Sequence, residues 1–149
     1  MQTIVKTNVR LLILHNRKEV LNMIFYNNEH KIFYYDSMAK CKVNDTYYKA
    51  LFYILGIDKD CRNHIHDLYD FNNHHIKISG LEKAWQTSGS YQATLFGYNL
   101  FNGFVYEDSP IVSTPYHLFA SEYGAFFMEA VKLRYPEYTK MKKLYSMEK

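Results

Sequence analysis

The sequence predicts a mainly α fold: a single compact helical domain of about five helices. Three observations lead there. A chain of 149 residues has the length of one domain and can bury a core without disulfides or a structural metal. Apolar residues recur at helical spacing in several segments, each bounded by capping or stop residues. No run alternates apolar and polar side chains for long, as a half-buried strand would. With 48% hydrophobic and 22% charged residues, and only 3 Pro and 6 Gly, the composition is globular and excludes collagen-like, linker and disordered classes.

Asn27 or Asn28 caps a first helix running to about Cys41, with Glu29 favourable in its first turn and Ile32, Tyr35 and Ala39 on one face. Asn44 or Asp45 caps the second, in which Tyr47, Ala50, Leu51, Ile54 and Leu55 keep i, i+3, i+4, i+7, i+8 spacing. Gly56 is expected to close it in the left-handed conformation. Asp58 caps a third helix striped by Cys61, Ile65, Leu68 and Tyr69, ending at Asn72-Asn73. Residues 72–80 read as a loop or short extended segment, and Gly80–Gln86 as a short helix presenting Trp85. After the Thr87–Ser90 turn, a fourth helix carries Tyr91, Thr94, Leu95, Tyr98 and Phe101 and stops at Gly103. Thr114-Pro115 starts a last helix through Phe119, Tyr123, Phe126, Phe127, Ala130 and Leu133, ended by Tyr135-Pro136. Gly124 inside that pattern implies close packing or a break.

The charge is unevenly spread. Residues 1–22 carry +3 and residues 132–149 carry +4, so residues 23–131 carry −4 against a total of +3. The basic balance belongs to the ends, which leaves the Lys140–Lys149 tail (residues 139–149) as the one place for direct nucleic-acid contact. Cys41 and Cys61 are expected as buried, reduced thiols. Leu11–Leu14 is too short for a signal core, and the uncharged stretch Ala84–Tyr106 holds too many amides and hydroxyls to lie in lipid, so no membrane contact is expected. Residues 17–20 (Arg-Lys-Glu-Val) can be encoded by a purine run of ribosome-binding type, and Leu21-Asn22 then space it from Met23. Residues 1–22 therefore read as a translated leader ahead of a start at Met23, or as an N-terminal extension of a helical domain at 23–138.

The densest polar cluster is Arg62, His64, His66, Asp67 and Asp70, followed by His74 and His75. On a continuous helix His66–Asp70 and His64–Asp67 are i, i+4 and i, i+3 neighbours, a spacing at which a carboxylate orients an imidazole as a general base. The same spacing serves a surface ion pair, and no nucleophile motif accompanies it, so no catalytic residue is assigned. Cys61, His64, His74 and His75 are zinc-ligand types at a spacing that fits no established zinc pattern, so neither metal nor cofactor is expected. Trp85, Gln86 and Thr87 place an indole beside amide and hydroxyl groups, a composition suited to a ligand or a partner. Asn99, in an otherwise aromatic helix, needs a polar partner. The candidate binding residues are thus Arg62, His64, His66, Asp67, Trp85, Gln86, Thr87 and Asn99. No phosphate-loop, dinucleotide, nucleophile-elbow, zinc-protease or calcium-loop motif is present.

Several runs carry a family resemblance: Phe25–His30, Tyr48–Gly56, Arg62-x-His64-Ile65-x-Asp67-Leu68-Tyr69-Asp70-Phe71, Trp85-Gln86-Thr87, Asn99–Gly103, Thr114-Pro115-Tyr116-x-Leu118-Phe119 and Lys132–Tyr138. In order and spacing the chain, over residues 25–138, resembles an uncharacterised family of small proteins from Firmicutes phages and mobile elements. Members of that family begin near the position of Met23. The resemblance implies a cytoplasmic accessory protein in a bacterial host cell. The first expectation is binding and inhibition of a host protein, such as a defence nuclease, with an anti-CRISPR as one form. Exposed Tyr and Phe would be the anchors. The second is a small-ligand or nucleotide-binding protein, or an enzyme, which requires Arg62, His64, Asp67 and the Trp85-Gln86-Thr87 turn to converge.

Overall fold

The computed structural model describes residues 23–107 and 114–139, so the leader reading of residues 1–22 and the lysines from Lys140 onward lie outside the described residues. The helices are α1 (Asn28–Cys41), α2 (Thr46–Ile57), α3 (Lys59–Asn63), α4 (Ile65–Leu68), α5 (Ser88–Asn102), α6 (Pro115–Leu118), α7 (Gly124–Arg134) and α8 (Pro136–Thr139). A two-residue antiparallel pair, β1 (Tyr69–Asp70) and β2 (His75–Ile76), and a 3₁₀ turn at Ile78–Glu82 link α4 to α5. The architecture is mainly α, and no helix of the described residues is long and apolar enough to cross a membrane.

Helix α2 is the axis of the core, because its eight residues Ala50–Ile57 are all buried and α1, α5 and α7 pack around it. Asp45 caps its first turn, accepting from the Tyr48 amide at 3.0 Å. Gly56 does not end the helix in the left-handed conformation. It lies inside α2, where a Cβ would come within 2.7 Å of His30 Cδ2 and 2.8 Å of the Phe33 ring, so its missing side chain lets α1 approach. Residue 103 takes that C-terminal role on α5, with φ +78°.

Two predicted helices are broken. The segment after Asp58 turns at His64, whose backbone (φ −118°, ψ 29°) separates α3 from α4, and it leaves helix at Tyr69 for the β pair. The last helix is interrupted at Phe119–Tyr123 and resumes at Gly124, the break that Gly124 marks in the sequence. Cys41 and Cys61 are both free and buried. Aromatic rings fill much of the core: Tyr53, Tyr69, Tyr98, Phe52 and Phe127 are fully buried. Two of the buried phenols reach backbone acceptors, with Tyr53 Oη donating to Ile24 O at 2.6 Å and Tyr98 Oη lying 2.7 Å from Leu68 O and 2.8 Å from Lys77 O.

Candidate functional site

The 3₁₀ turn and the start of α5 hold Trp85 against the α3–α4 corner. Thr87 caps α5, accepting from the Ser90 amide at 3.2 Å, while Ser90 Oγ accepts from the Thr87 amide at 2.7 Å. Gln86 is bound into the same structure, donating to Gly80 O at 3.0 Å and accepting from Ser90 Oγ at 2.6 Å. These anchors fix the chain on either side of the indole. The imidazole of His64 stacks on Trp85 with ring centres 4.4 Å apart and planes 7° from parallel. Trp85 Nε1 donates to Asp67 Oδ2 at 2.9 Å, and Lys83 Nζ stands 3.7 Å from Asp67 Oδ1. The indole donor, and after it the lysines, hold the Asp67 carboxyl below the usual carboxylate range. His64, Asp67 and Trp85 therefore converge, partly exposed, on one face.

The other candidates do not join them. Arg62 points to the opposite corner, where Nη1 donates to Gly56 O at 2.8 Å and Ile57 O at 3.0 Å and closes α2 with a charge its dipole favours. Its Nη2 reaches Glu29 at 3.0 Å. Asn99 donates to Phe104 O at 3.1 Å and pins the chain leaving α5. His66 is exposed with its ring beside Phe71, and the expected His66–Asp70 helical pair is replaced because α4 stops at Leu68. Asp70 instead accepts from the Asn73 side chain at 3.0 Å and from the Asn72 and Asn73 amides, which pulls its carboxyl down to about 2. Cys61 lies buried against Thr94 and the Ser90 carbonyl, while His74 and His75 sit exposed at the β turn. Among the described residues no three His, Cys, Asp or Glu side chains are placed to hold a metal ion.

A second surface, which the sequence reading missed, centres on Arg134. Its guanidinium lies 3.7 Å from the ring centre of Tyr47 and 4.6 Å from that of Tyr135. Nε donates to Leu100 O at 2.7 Å at the end of α5. Tyr47 is 45% exposed and Tyr135 is 37% exposed.

A model of a family of unknown function, DUF6075, matches residues 20–147. The chain belongs to the DUF6075 family. No curated protein and no solved structure matches it. In this DUF6075 chain the Arg134 cluster had a partial sequence signal, the aromatic-basic run Lys132–Tyr138, but Tyr47 lies too far away along the chain for spacing to connect them. The fates of Arg62, Gln86, Thr87 and Asn99 had no such signal, since a helix cap and a ligand contact use the same donors and acceptors.

Proposed function

We propose that this chain is an accessory protein of a Firmicutes phage or mobile element that binds and inhibits a host protein in the bacterial cytoplasm, with a defence nuclease as the kind of target. The observation that carries the protein-binding part is the tyrosine–arginine surface of Tyr47, Arg134 and Tyr135, in which two exposed rings flank a held guanidinium. Tyr and Arg dominate binding energy at protein interfaces because they offer large, stiff contact area with polar edges. Four of the eight candidate binding residues, Arg62, Gln86, Thr87 and Asn99, have hydrogen bonds to backbone or neighbouring side chains. The small-ligand, nucleotide or enzyme reading named Arg62, His64, Asp67 and the Trp85-Gln86-Thr87 turn, of which His64, Asp67 and Trp85 are in contact. The setting and the anti-defence role rest on the family resemblance.

The test is affinity purification of the tagged full chain from a bacterial host, followed by mass spectrometry. One stoichiometric host protein whose own activity falls as the chain is titrated in supports the reading. Protein recovered alone would remove it. A second reading, a planar small ligand held near His64, Asp67 and Trp85, has the convergence of those three side chains behind it. A small molecule co-purifying with the chain and released by Trp85→Ala would favour it.

A further inference from the structure

We propose that Asn102 is a site of spontaneous covalent modification, deamidation to aspartate and isoaspartate, gated by the last hydrogen bond of α5. Asn102-Gly103 is the only Asn-Gly pair in the chain. The Gly103 amide nitrogen gives its proton to water or hydroxide and attacks Cγ of Asn102. A new C–N bond closes a five-membered succinimide, the C–N bond to the side-chain amide breaks, and ammonia leaves. Water then opens the ring at either carbonyl. A side chain on the following residue hinders the attack, and glycine has none. Every other asparagine precedes a residue with a side chain.

The fold presents the electrophile and guards the nucleophile. Asn102 is the exposed last residue of α5, and its Oδ1 accepts from the Phe104 amide at 3.1 Å. That bond turns the side-chain carbonyl along the chain leaving the helix and polarises it. Gly103 N donates to Asn99 O at 2.8 Å, and an N–H bound in this way gives up its proton less readily. The Asn99 side chain reinforces the closure, with Nδ2 donating to Phe104 O at 3.1 Å. The Phe104 ring packs edge-on to Tyr98, with centres 5.9 Å apart. The Asn99–Gly103 run thus holds both the reactive pair and its guard. Helix ends open more readily than helix middles, so the modification follows fraying of this turn. The product places a negative charge where the helix dipole is already negative, and isoaspartate also lengthens the main chain there. The modified bond lies two residues past Leu100, whose carbonyl holds Arg134, so the change falls at a support of the tyrosine–arginine surface.

The test incubates the full-length chain at mildly alkaline pH, folded or in concentrated guanidinium chloride. Each asparagine is followed by peptide mass spectrometry that separates isoaspartate from aspartate. In denaturant Asn102 should react faster than every other asparagine. In the folded chain it should react at least about tenfold more slowly, because the end of α5 must first open. Asn99→Ala removes the donor to Phe104 O and should raise the folded rate about fivefold, the equivalent of one ordinary hydrogen bond, with the denatured rate unchanged. In the wild type, deamidation and hydrogen exchange of the Gly103 amide should rise together as subdenaturing guanidinium chloride is added, a comparison that needs no variant to fold. Equal folded and denatured rates, or no preference for Asn102 in denaturant, would overturn the proposal. So would deamidation that does not follow Gly103 exchange, or an unchanged folded rate in Asn99→Ala with its helical circular dichroism intact.

Discussion

His30 shows how much a single residue can carry in this molecule. It is fully buried in α1, its Nδ1 accepts from the Tyr26 amide at 3.1 Å, and its Nε2 donates to Tyr53 O at 2.7 Å. That pattern requires the neutral ring, and burial lowers its pKa from 6.5 to about 4. The unfolded chain takes up a proton below pH 6.5 and the folded chain only near 4, so acid favours unfolding. The stability His30 contributes is complete above pH 6.5 and falls away towards pH 4, by about 3 kcal/mol. Urea denaturation across this range should show that decline, and His30→Gln should flatten it. An equal slope in the variant would contradict the assignment. At the other site, the imidazole of His64 covers one face of Trp85, the sole tryptophan. His64→Ala should therefore make its fluorescence more accessible to acrylamide, with Asp67 still bonded to the indole. The sequence marked His64, Asp67 and Trp85 through their unusual side chains. His30 was not marked, because a histidine buried in a helix follows no spacing rule and its acceptor is a backbone carbonyl 23 residues away.

At the scale of elements, the helices with long apolar stripes were legible and the interruptions were not. Helix α2 has the caps and periodicity that a sequence displays. The break at His64 arises because the chain must turn so that Leu68 O can accept from Lys77 N at 2.8 Å and from Tyr98, a tertiary demand absent from local pattern. Gly56 was misread for the same reason: its smallness serves the packing of α1 and not a helix end. Gly56→Ala pits about 1 kcal/mol of gained helix propensity against about 1–3 kcal/mol of overpacking on a His30 ring held by two hydrogen bonds. Net destabilisation is expected in thermal unfolding, and a raised Tm would contradict this packing. Arg62 closes the same helix while its side chain is only 11% exposed. Arg62→Ala leaves the Gly56 and Ile57 carbonyls without its two donors and should cost about 2 kcal/mol. Glu29→Gln, at a side chain 74% exposed, should change stability by well under about 1 kcal/mol in the same assay.

Among the described residues, many polar side chains join short elements around α2, and two surface clusters combine aromatic rings with charged groups. One is the stacked pair His64–Trp85 with Asp67, and the other is Arg134 between Tyr47 and Tyr135. The basic charge lies at the chain ends and the body is acidic, and Arg134 belongs to the basic C-terminal segment. The central claim is that the tyrosine–arginine surface is the binding face. Its most direct test is parallel capture from a bacterial host with four tagged full-length chains: wild type, Tyr47→Ser, Arg134→Lys and His64→Ala. The account predicts the same stoichiometric host protein with wild type and His64→Ala, and its loss with Tyr47→Ser and Arg134→Lys while their helical circular dichroism is unchanged. Retention of that protein by both surface variants, with loss in His64→Ala, would contradict it.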